Sequence, residues 1–365
     1  MTKRIGIDAR LLYQTGIGTY TRNLLYYLDK LPIKNLEFYI YLLSGDELNI
    51  NNDKFKTRFT NCRWHSVDEQ ISFLNQLKSD NLNLMHFTYF SFPFLYQHPF
   101  IATIHDLTPL IFKTGKASTK NALFYQFKYQ IFKFILSRQV SQSVRIITPS
   151  QAVKKQIVDN YGQAVAEKIY PVHEGIDYAL MNCEQNHDLR SRFSNNFIIY
   201  VGNFYPHKNI ETLIKAYAQI KTDIKLILLG PNDYFSKSIR QLIEKLNLQD
   251  KVIQFSSSKK ADLVFFYKNA LVLIHPSLSE GFGLPIVDAM YFGLPIIASD
   301  IPVFKEIIGQ NYNSFDPYSI EDISKKIRQF LDKADFKKIN YSARLENLSF
   351  KKMAEQTRDL YLASL

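Results

Sequence analysis

The sequence alternates between short apolar runs and longer amphipathic stretches, and this alternation starts twice along the chain. Short apolar runs bounded by turns predict buried parallel strands, and the amphipathic stretches between them predict helices that cover the sheet. The first series begins at residues 4–8 and the second at residues 197–201. Because a chain of 365 residues usually forms more than one core, we predict an α/β fold with two doubly wound domains.

Residues 177–195 are polar and lack periodicity, which is typical of a linker between domains. Residues 1–176 would then form the first domain and residues 196–349 the second. In the first domain we predict strands at residues 4–8, 37–43, 82–87, 100–105 and 144–148, and helices at 19–31, 121–141 and 150–161. In the second we predict strands at 197–201, 224–229, 252–255, 271–275 and 295–299, and helices near 209–220, 235–246, 285–292 and 318–332. Ligands bind at the carboxyl ends of strands in such sheets, so a cleft between the domains is the expected site.

The composition is that of a globular chain, with 46% hydrophobic and 22% charged residues, which excludes a largely disordered protein. No run approaches the roughly 20 apolar residues that span a bilayer, and Asp8 stands where a signal peptide would continue its apolar core. We therefore expect a cytoplasmic protein without a transmembrane helix or a secretion signal. The two cysteines, Cys62 and Cys183, cannot form a disulfide framework or a cysteine-built zinc site, and we expect two free thiols.

The net charge of +11 favours an anionic partner, which could be nucleic acid, lipid headgroups or a phosphorylated substrate. Residues 113–155 contain nine basic residues and no acid, and residues 124–136 interleave aromatic side chains with lysines. A basic amphipathic helix of this kind can lie on an anionic membrane surface. The alternative is an aromatic face in the core and a solvated lysine face. Single-stranded nucleic acid also favours such surfaces, but no nucleic-acid-binding module accompanies this one, so we expect no nucleic-acid partner.

The segment that carries the most chemical information is HPSLSEGFGLPIVDAM, residues 275–290, which follows a predicted strand. A proline fits the first turn of the next helix, and Gly281 and Gly283 allow the backbone to approach a ligand closely. The free N–H groups and positive end of that helix attract an anion. Glu280 on the loop and Asp288 on the helix would serve different parts of one extended ligand. The alternative is an ordinary strand–helix turn with surface acids.

This segment resembles the E-x7-E region of the family-4 retaining glycosyltransferases, and the likeness extends to GLPIIAS at residues 293–299. The resemblance implies the GT-B fold, with two Rossmann-like domains that face a cleft. It also implies that Glu280 lies beside the transferred sugar and that Asp288 binds the nucleotide ribose. The backbone between the two acids would contact the donor through Gly281, Phe282, Gly283 and Leu284. Asp288 departs from the family's usual Glu by one methylene.

A second match to the family is YVGNFYPHKN, residues 200–209, at the end of the second domain's first strand. The resemblance implies that Lys208 neutralises the donor diphosphate. A leaving diphosphate gains negative charge, so a fixed ammonium stabilises the transition state more than the ground state. Many relatives place arginine where this chain has Asn203 or His207, and we assign both residues to the donor site. The alternative for Lys208 is a solvated charge at a helix start.

Matching residues in the first domain are the turn with Gly16 and Gly18, and the segment that contains His105. Glycines in a strand–helix turn let the helix N-terminus meet a phosphate, and the resemblance places this loop near the diphosphate and the acceptor. It also places His105 near the transferred sugar, where the residue would assist catalysis. Asp106 and Tyr89 are assigned to acceptor binding, although Asp106 could simply orient its loop.

The resemblance runs from about residue 3 to the C-terminal helix, residues 350–365, which in this fold crosses back onto the first domain. Residues 173–177 also match, except that Glu174 stands where the family usually has Asn, and we interpret this segment as structural.

The sequence lacks several motifs that would indicate other chemistry. It has no Asp-x-Asp pair to hold a donor-bridging metal and no cluster with metal-ligand spacing. It has no phosphate-binding loop of the ATPase type and no Gly-x-Ser-x-Gly elbow. We therefore expect no cofactor and no metal ion, with a nucleotide-diphosphate sugar as donor.

Together these features predict a retaining glycosyltransferase that moves a hexosyl group to a glycan or lipid-linked glycan acceptor. The segments GIDAR, TGIG and PHKN look most like mannosyltransferases of bacterial lipopolysaccharide and other surface-polysaccharide synthesis, which favours GDP-mannose as donor. The alternatives are a UDP-sugar donor, another enzyme on the same fold such as an epimerase or phosphorylase, and a non-catalytic nucleotide-sugar-binding or scaffold protein. With a lipid-linked acceptor, the protein would be peripheral on the inner face of the plasma membrane.

Overall fold

The computed structural model describes residues 2–112, 122–193, 196–257, 259–333 and 336–365, which form two compact units. The first unit takes in Met1–Leu110, Thr119–Gly175 and Ser349–Leu365, as far as these residues are described. The second takes in Ile111–Ser118 and Ile176–Leu348, with the same restriction.

The first unit is built on a seven-stranded parallel sheet in the order β3-β2-β1-β4-β5-β6-β7. Its strands are β1 Lys3–Asp8, β2 Leu36–Leu43, β3 Phe55–Thr60, β4 Leu84–Phe87, β5 Phe100–Thr103, β6 Arg145–Thr148 and β7 Ile169–Pro171. Strands β4 and β5 are buried along their whole length, as expected for a parallel sheet with helices on both faces. The carboxyl ends of all seven strands lie at one edge.

In the described part of the chain, five helices lie between β1 and β7. They are α1 Ile17–Lys30, α2 Leu74–Ser79, α3 Thr108–Ile111, α4 Ala122–Gln142 and α5 Gln151–Tyr161, with a π-helical turn at Glu69–Phe73 before α2 and a 3-10 helix at Gln163–Lys168 after α5. Two apolar clusters of this unit are separate, and one contains Phe87 and Phe100 while the other contains Ile104 and Leu136.

The second unit has a six-stranded parallel sheet in the order β10-β9-β8-β11-β12-β13. Its strands are β8 Phe197–Val201, β9 Lys225–Leu229, β10 Val252–Phe255, β11 Leu273–His275, β12 Ile296–Ser299 and β13 Asn313–Phe315. Its helices are α6 Tyr178–Met181, α7 Leu189–Arg192, α8 Ile210–Ala218, α9 Tyr234–Lys245, α10 Lys260–Asn269, α11 Leu284–Tyr291, α12 Pro302–Ile307, α13 Ile320–Lys333 and α14 Ser342–Leu345, with a 3-10 turn at Pro206–Lys208. The predicted α/β fold with two doubly wound sheets is confirmed.

The last helix, α15 Phe350–Leu362, belongs to the first unit and packs against α1. The Tyr361 hydroxyl is buried and lies 2.7 Å from Nδ1 of His86 on β4. A Cβ atom at Gly175 would lie 2.5 Å from the Phe350 backbone nitrogen, so glycine is what lets this helix begin where it does. The first sheet is therefore covered in part by the last residues of the chain.

Several features differ from the sequence predictions. Strands β3, β7 and β13 were not predicted, because β3 is half-exposed and β7 and β13 have only three residues each, so none shows a clear apolar run. The predicted strand at 100–105 ends at Thr103, which places His105 on a loop.

The polar stretch predicted as a linker has local structure and clusters with the second unit, apart from residues 194–195, which lie outside the described residues. It contains α6 and α7, and it is joined to α10 by polar contacts. The Asp177 carboxylate lies 2.6 Å from Nζ of Lys260, and the Asn186 amide donates to Asp262 at 2.7 Å. Contacts of this kind leave no apolar periodicity in the sequence.

Both cysteines are free thiols, with Cys62 buried and Cys183 half-buried. Within the described ranges, no helix combines the length and the apolar character that crossing a membrane requires.

Candidate functional site

The clearest polar constellation lies in the second unit, where β11 runs through a loop into α11. The Glu280 carboxylate is almost buried, and its Oε1 atom faces three donors. Lys208 Nζ lies 2.7 Å away, His275 Nε2 lies 3.0 Å away and Ser277 Oγ donates at 2.7 Å. Among the described residues no donor faces Oε2. One carboxylate oxygen is thus held by three side chains of the protein.

Electrostatics keep Glu280 ionised. Burial alone raises the pKa of its carboxyl group, but the Lys208 ammonium and the hydrogen bond from His275 outweigh burial and hold this pKa well below its usual range. Burial lowers the pKa of His275, although the hydrogen bond to Glu280 opposes this effect. His275 is therefore neutral near pH 7 and carries its proton on Nε2, because a carboxylate only accepts.

Backbone and side-chain hydrogen bonds join the loop after β8, which contains Lys208, to the loop between β11 and α11, which contains Glu280. Asn209 has a left-handed backbone with φ of 61°, a conformation that asparagine tolerates. Its amide donates to the carbonyls of Pro276 at 3.1 Å and Pro317 at 2.7 Å. In addition, the Leu278 amide donates to the His207 carbonyl at 2.8 Å. These bonds hold the Lys208 loop beside the Glu280 loop.

The glycines of this site have defined roles. Gly202 follows β8 with φ of 149°, and a Cβ atom there would lie 2.6 Å from the Tyr200 hydroxyl. Gly283 has φ of 96° and stands directly before α11, whose first turn contains Pro285, as predicted. Glycine has no side chain to cap the helix, so the first N–H groups of α11 lack a capping side chain at this position. The positive end of α11 follows Glu280 by four residues.

Asp288 lies in different surroundings from Glu280. It is half-buried on α11, and burial raises the pKa of its carboxyl group to about 8. The positive charge of Lys260 opposes this rise, and the negative charge of Asp177 adds to it. The Tyr267 hydroxyl also interacts with it. Asp288 is thus largely protonated near pH 7 and can donate as well as accept a hydrogen bond.

In the first unit, the predicted glycine turn caps α1. Gly16 has φ of 66° at the N-cap, and a Cβ atom there would meet nothing within 4 Å. A Cβ atom at Gly18 would lie 2.5 Å from the Leu12 carbonyl oxygen. Close packing within the unit therefore requires glycine at position 18.

His105 follows β5 at the carboxyl edge of the first sheet. Its Nε2 atom lies 3.0 Å from the Thr88 carbonyl oxygen and its Nδ1 atom lies 3.3 Å from Oε1 of Glu174. Asp106 accepts a hydrogen bond from the Thr108 amide at 2.7 Å, so it orients the start of α3. Tyr89 is half-exposed and stacks on Phe90, with ring centroids 3.8 Å apart.

Sequence reasoning did not find the contacts of the GIDAR segment. Arg10 is buried and its Nη2 atom lies 2.6 Å from Asp8 Oδ2 and 2.7 Å from Glu69 Oε1. Ser91 also donates to Glu69. This cluster fixes the π-helical turn to the end of β1, which gives the segment a structural role. Sequence reasoning also left His275, Ser277, Asn209 and Glu174 without a role in the site.

A cavity of about 500 Å³ lies at the carboxyl ends of β12 and β13. Its polar lining includes three acidic residues and one lysine, which are Asp300, Asp316, Asp322 and Lys326. In the described ranges, no three or more His, Cys, Asp or Glu side chains are grouped so that they could hold a metal ion.

Two family models together match most of the chain. The model described as "Glycosyltransferase Family 4" matches residues 15–180, and the model described as "Glycosyl transferases group 1" matches residues 182–346. Each match covers most of one of the two structural units.

Curated relatives include the O-antigen chain mannosyltransferase RfbU of Salmonella typhimurium, which is 28% identical over 307 residues, 83% of this chain and 81% of the relative. The serotype-specific mannosyltransferase WbdA of Escherichia coli is 27% identical over 265 residues. That match covers 68% of this chain and 31% of WbdA, so this chain spans about a third of that relative.

Solved structures show the same fold at lower identity. A sucrose-phosphate synthase from Thermosynechococcus elongatus aligns with a TM-score of 0.79 at 18% identity, over 99% of this chain and 98% of that one. Anabaena HepE, solved with UDP and glucose, aligns with a TM-score of 0.75 at 17% identity over 100% of both chains. The sheets, the two family matches and these structures agree, and the chain belongs to the glycosyltransferases of GT-B fold that pair a family-4 domain with a group-1 domain.

Proposed function

We propose that this protein is a retaining hexosyltransferase that moves mannose from GDP-mannose to a glycan or lipid-linked glycan acceptor in cell-surface polysaccharide synthesis. The observation that carries the proposal is the contact between Lys208 and Glu280 beside the N-terminus of α11. It combines a positive charge and a carboxylate just before the N-terminus of a helix. A nucleotide-diphosphate sugar presents the complementary groups, which are phosphate oxygens and sugar hydroxyls.

The charge distribution supports a donor site at Lys208 rather than in the neighbouring cavity. Lys208 is 16% exposed, so a phosphate oxygen can reach its ammonium group. The cavity at β12 and β13 carries three carboxylates against one lysine and would repel a diphosphate. We assign the diphosphate to Lys208 and the α11 N-terminus, with Asn203 and His207 beside it.

The other donor groups follow from the same arrangement. Glu280 Oε2 would accept a hydrogen bond from a sugar hydroxyl, while its Oε1 atom stays bound to the protein. Asp288 would bind the ribose hydroxyls. The backbone of the intervening residues, Gly281, Phe282, Gly283 and Leu284, would contact the sugar and phosphate.

In the proposed reaction, the bond between the anomeric carbon and the diphosphate oxygen breaks while the acceptor oxygen bonds to that carbon on the same face. The acceptor proton passes to the leaving diphosphate oxygen. Lys208 stabilises the negative charge that grows on the diphosphate, and such preorganised charges act mainly on the transition state. In the first unit, Gly16 and Gly18 would serve the phosphate, His105 would assist the transfer, and Tyr89 and Asp106 would line the acceptor site.

Mannose is the proposed sugar because RfbU and WbdA are both named mannosyltransferases. The test is a thermal-shift assay with GDP, UDP, dTDP, ADP and their common sugar conjugates, without added metal. A ligand that binds only the folded state raises the apparent stability. We expect a shift with GDP and GDP-mannose, lost in Lys208→Ala and kept in Lys215→Ala, which removes an exposed lysine on α8. Each variant is compared with its own ligand-free transition.

The alternatives give different outcomes. A shift with UDP or a UDP-sugar alone would keep the enzyme class and overturn the donor. Nucleotide binding without turnover over a broad acceptor panel would favour a non-catalytic binding protein. A measurement of the anomeric configuration of the product checks retention.

The surface of α4 supports contact with an anionic membrane. Ile131 and Phe134 are 42% and 51% exposed, and Lys128 and Lys133 are exposed on the same helix. Phe94, from the loop after β4, packs edge-on against Phe134. The opposite side of α4 is in the core, where it contributes Leu136 and Val140. The earlier part of the basic stretch, residues 113–121, lies outside the described residues.

Sedimentation with vesicles tests this contact. We expect the protein to bind phosphatidylglycerol vesicles and not phosphatidylcholine vesicles. The double variant Lys128→Glu/Lys133→Glu should lose binding, because each basic residue near such a surface contributes about 1 kcal/mol. The control Lys268→Glu/Lys325→Glu makes the same charge change at exposed sites of the second unit. Equal losses in both variants would contradict a specific role for α4.

A further inference from the structure

His275 is the last residue of β11, and its side chain contacts Glu280, yet the proposed reaction gives it no role. Its Nε2 atom lies 3.0 Å from Oε1 of Glu280, and the residue is 1% exposed. The ring stacks nearly parallel to the Tyr200 ring, with centroids 5.8 Å apart, and edge-on to Phe304 at 5.3 Å. Packing against two aromatic rings therefore sets the direction in which the imidazole presents Nε2.

The hydrogen bond runs from His275 to Glu280. Burial raises the pKa of the Glu280 carboxyl group, but Lys208 and His275 outweigh burial and hold this pKa well below its usual range. An ionised carboxylate only accepts, so Nε2 carries the hydrogen.

The His275 ring is neutral when it donates this bond. Burial lowers its pKa and the Lys208 charge adds to this effect, although Glu280 opposes both. Its second nitrogen, Nδ1, is buried and has no hydrogen-bond partner among the described residues, so a proton there would be an unpaired buried donor. Burial also raises the pKa of Tyr200, which keeps that neighbouring hydroxyl neutral. His275 thus offers Glu280 a donor without a charge.

Lys208 has two partners in the proposed reaction. Its Nζ atom lies 2.7 Å from Oε1 of Glu280, and the donor diphosphate is assigned to the same ammonium group. An ammonium that turns toward a phosphate oxygen weakens its bond to Glu280, so other donors must then hold the carboxylate. Ser277 Oγ donates at 2.7 Å, but a hydroxyl can rotate toward another acceptor. The ring of His275 is held by its packing and keeps its N–H on Oε1.

We propose that His275 is a positioning residue for the transferred sugar, which it serves by holding Glu280 in place while Lys208 binds the diphosphate. This inference rests on the proposed function, because it takes Glu280 as the sugar contact and Lys208 as the diphosphate contact. Binding of the sugar and its transfer should then depend on His275. Binding of the nucleoside diphosphate should not.

Three variants of the full chain separate this role from packing. His275→Phe keeps a ring against Tyr200 and Phe304 and removes the donor. His275→Gln is the conservative variant, because its amide N–H can reach the region that Nε2 occupies. Phe304→Leu is the control, since it changes the packing of the His275 ring and leaves the N–H in place. A circular-dichroism melt verifies that each variant is folded.

Titration calorimetry measures the affinities for GDP and GDP-mannose, and for UDP and UDP-glucose as the second pair. In His275→Phe we expect the affinity for the nucleoside diphosphate to stay unchanged and the extra affinity for the nucleotide sugar to be lost. The kcat/KM for the nucleotide sugar should fall about 10- to 100-fold, as expected for one hydrogen bond to a charged group. His275→Gln should restore most of both losses. Phe304→Leu should lower the melting temperature without separating the two affinities.

Equal losses of affinity for the nucleoside diphosphate and the nucleotide sugar in His275→Phe would overturn the proposal and indicate a structural role. A folded His275→Gln that is as weak as His275→Phe would also overturn it. Nucleotide binding with either of these results rejects the role of His275 alone, whereas no binding of any nucleotide rejects the proposed function together with it.

Imidazole nitrogen NMR on the ¹⁵N-labelled unchanged protein decides the matter even if His275→Phe does not fold. His275 is assigned by its absence from the spectrum of His275→Gln. Between pH 6 and 8 we expect a protonated Nε2 and a bare Nδ1, with the same pattern after addition of the bound nucleoside diphosphate. A proton on Nδ1, or loss of the Nε2 proton signal when the diphosphate binds, would reject the inference.

Discussion

The Nζ atom of Lys208 lies 2.7 Å from Oε1 of Glu280, and the two side chains are 16% and 10% exposed. Ion pairs at this depth are costly to break from one side, because the remaining charge loses its partner without regaining full hydration. Two neutral donors on the same oxygen, Ser277 and His275, reduce this cost for Glu280. Loss of one charge of this pair should therefore destabilise the second unit.

Removal of one member of this pair should destabilise the second unit more than removal of both. We expect Lys208→Met and Glu280→Gln each to lower the free energy of unfolding by up to about 3 kcal/mol, the low end for a buried pair. The double variant should lose less than either single variant. Urea unfolding, monitored by hydrogen exchange of amides in the second unit, measures the free energy of unfolding. Additive losses would mean that the two charges do not stabilise each other.

Asp288 should make the protein less stable as pH rises from about 4 to 8. Burial raises the pKa of its carboxyl group to about 8 in the folded state, whereas the unfolded carboxyl titrates near its ordinary value. Between these values the folded state binds the extra proton, so its advantage is full below the lower value and is lost as pH approaches the higher one. Asp288→Asn should reduce this slope in urea unfolding. A carboxyl ¹³C titration near pH 4 would contradict the assignment.

Replacement of Asn209 should lower stability and weaken donor binding, although Asn209 is not part of the ion pair between Lys208 and Glu280. Asn209→Gly keeps the left-handed backbone and removes the hydrogen bonds to Pro276 and Pro317. We expect a loss of stability of about 1–3 kcal/mol and a higher KM for the donor. Asn247→Gly is the control, because Asn247 also has a positive φ but is exposed after α9. Equal effects of the two variants would show that backbone conformation alone is responsible.

The two glycines before and within the first turn of α1 should respond differently to alanine. Gly18→Ala would place Cβ 2.5 Å from the Leu12 carbonyl, so the turn must move, and we expect a loss of about 1–3 kcal/mol. Gly16→Ala meets no atom within 4 Å but keeps a positive φ, which costs about 1–2 kcal/mol. Thermal unfolding of the first unit shows which of the two variants loses more stability. A milder effect for Gly18→Ala would contradict the packing argument.

The sequence predicts the central strands of both sheets well because these strands are continuous apolar runs. Strand β8 has the predicted bounds, residues 197–201. The edge strand β3 fails the same test, because five of its six residues are at least partly exposed and it shows no clear apolar run. Residues 177–193 show no apolar periodicity, because polar contacts such as Asp177 with Lys260 hold this region. Local periodicity does not reveal contacts between distant polar residues.

The same distinction applies to the candidate site. The motifs identify Glu280 and Lys208, but only the fold shows that residues 72 positions apart meet. Asn209 donates a hydrogen bond to Pro317, 108 positions away, and the residues around Asn209 in the sequence do not indicate that hydrogen bond. Glu174 lies 3.3 Å from His105, which belongs to another segment of the sequence, and local sequence does not indicate that contact.

The packing of α15 on α1 has a consequence for the order of biosynthesis. Residues 349–365 are translated after the whole second unit, yet the hydroxyl of Tyr361 completes the hydrogen bonds of His86 in the first sheet. Domains generally fold as they emerge from the ribosome, the N-terminal one first. Here the unit that is synthesised first must wait for the last residues, so it is the second unit that can complete its core first on the nascent chain.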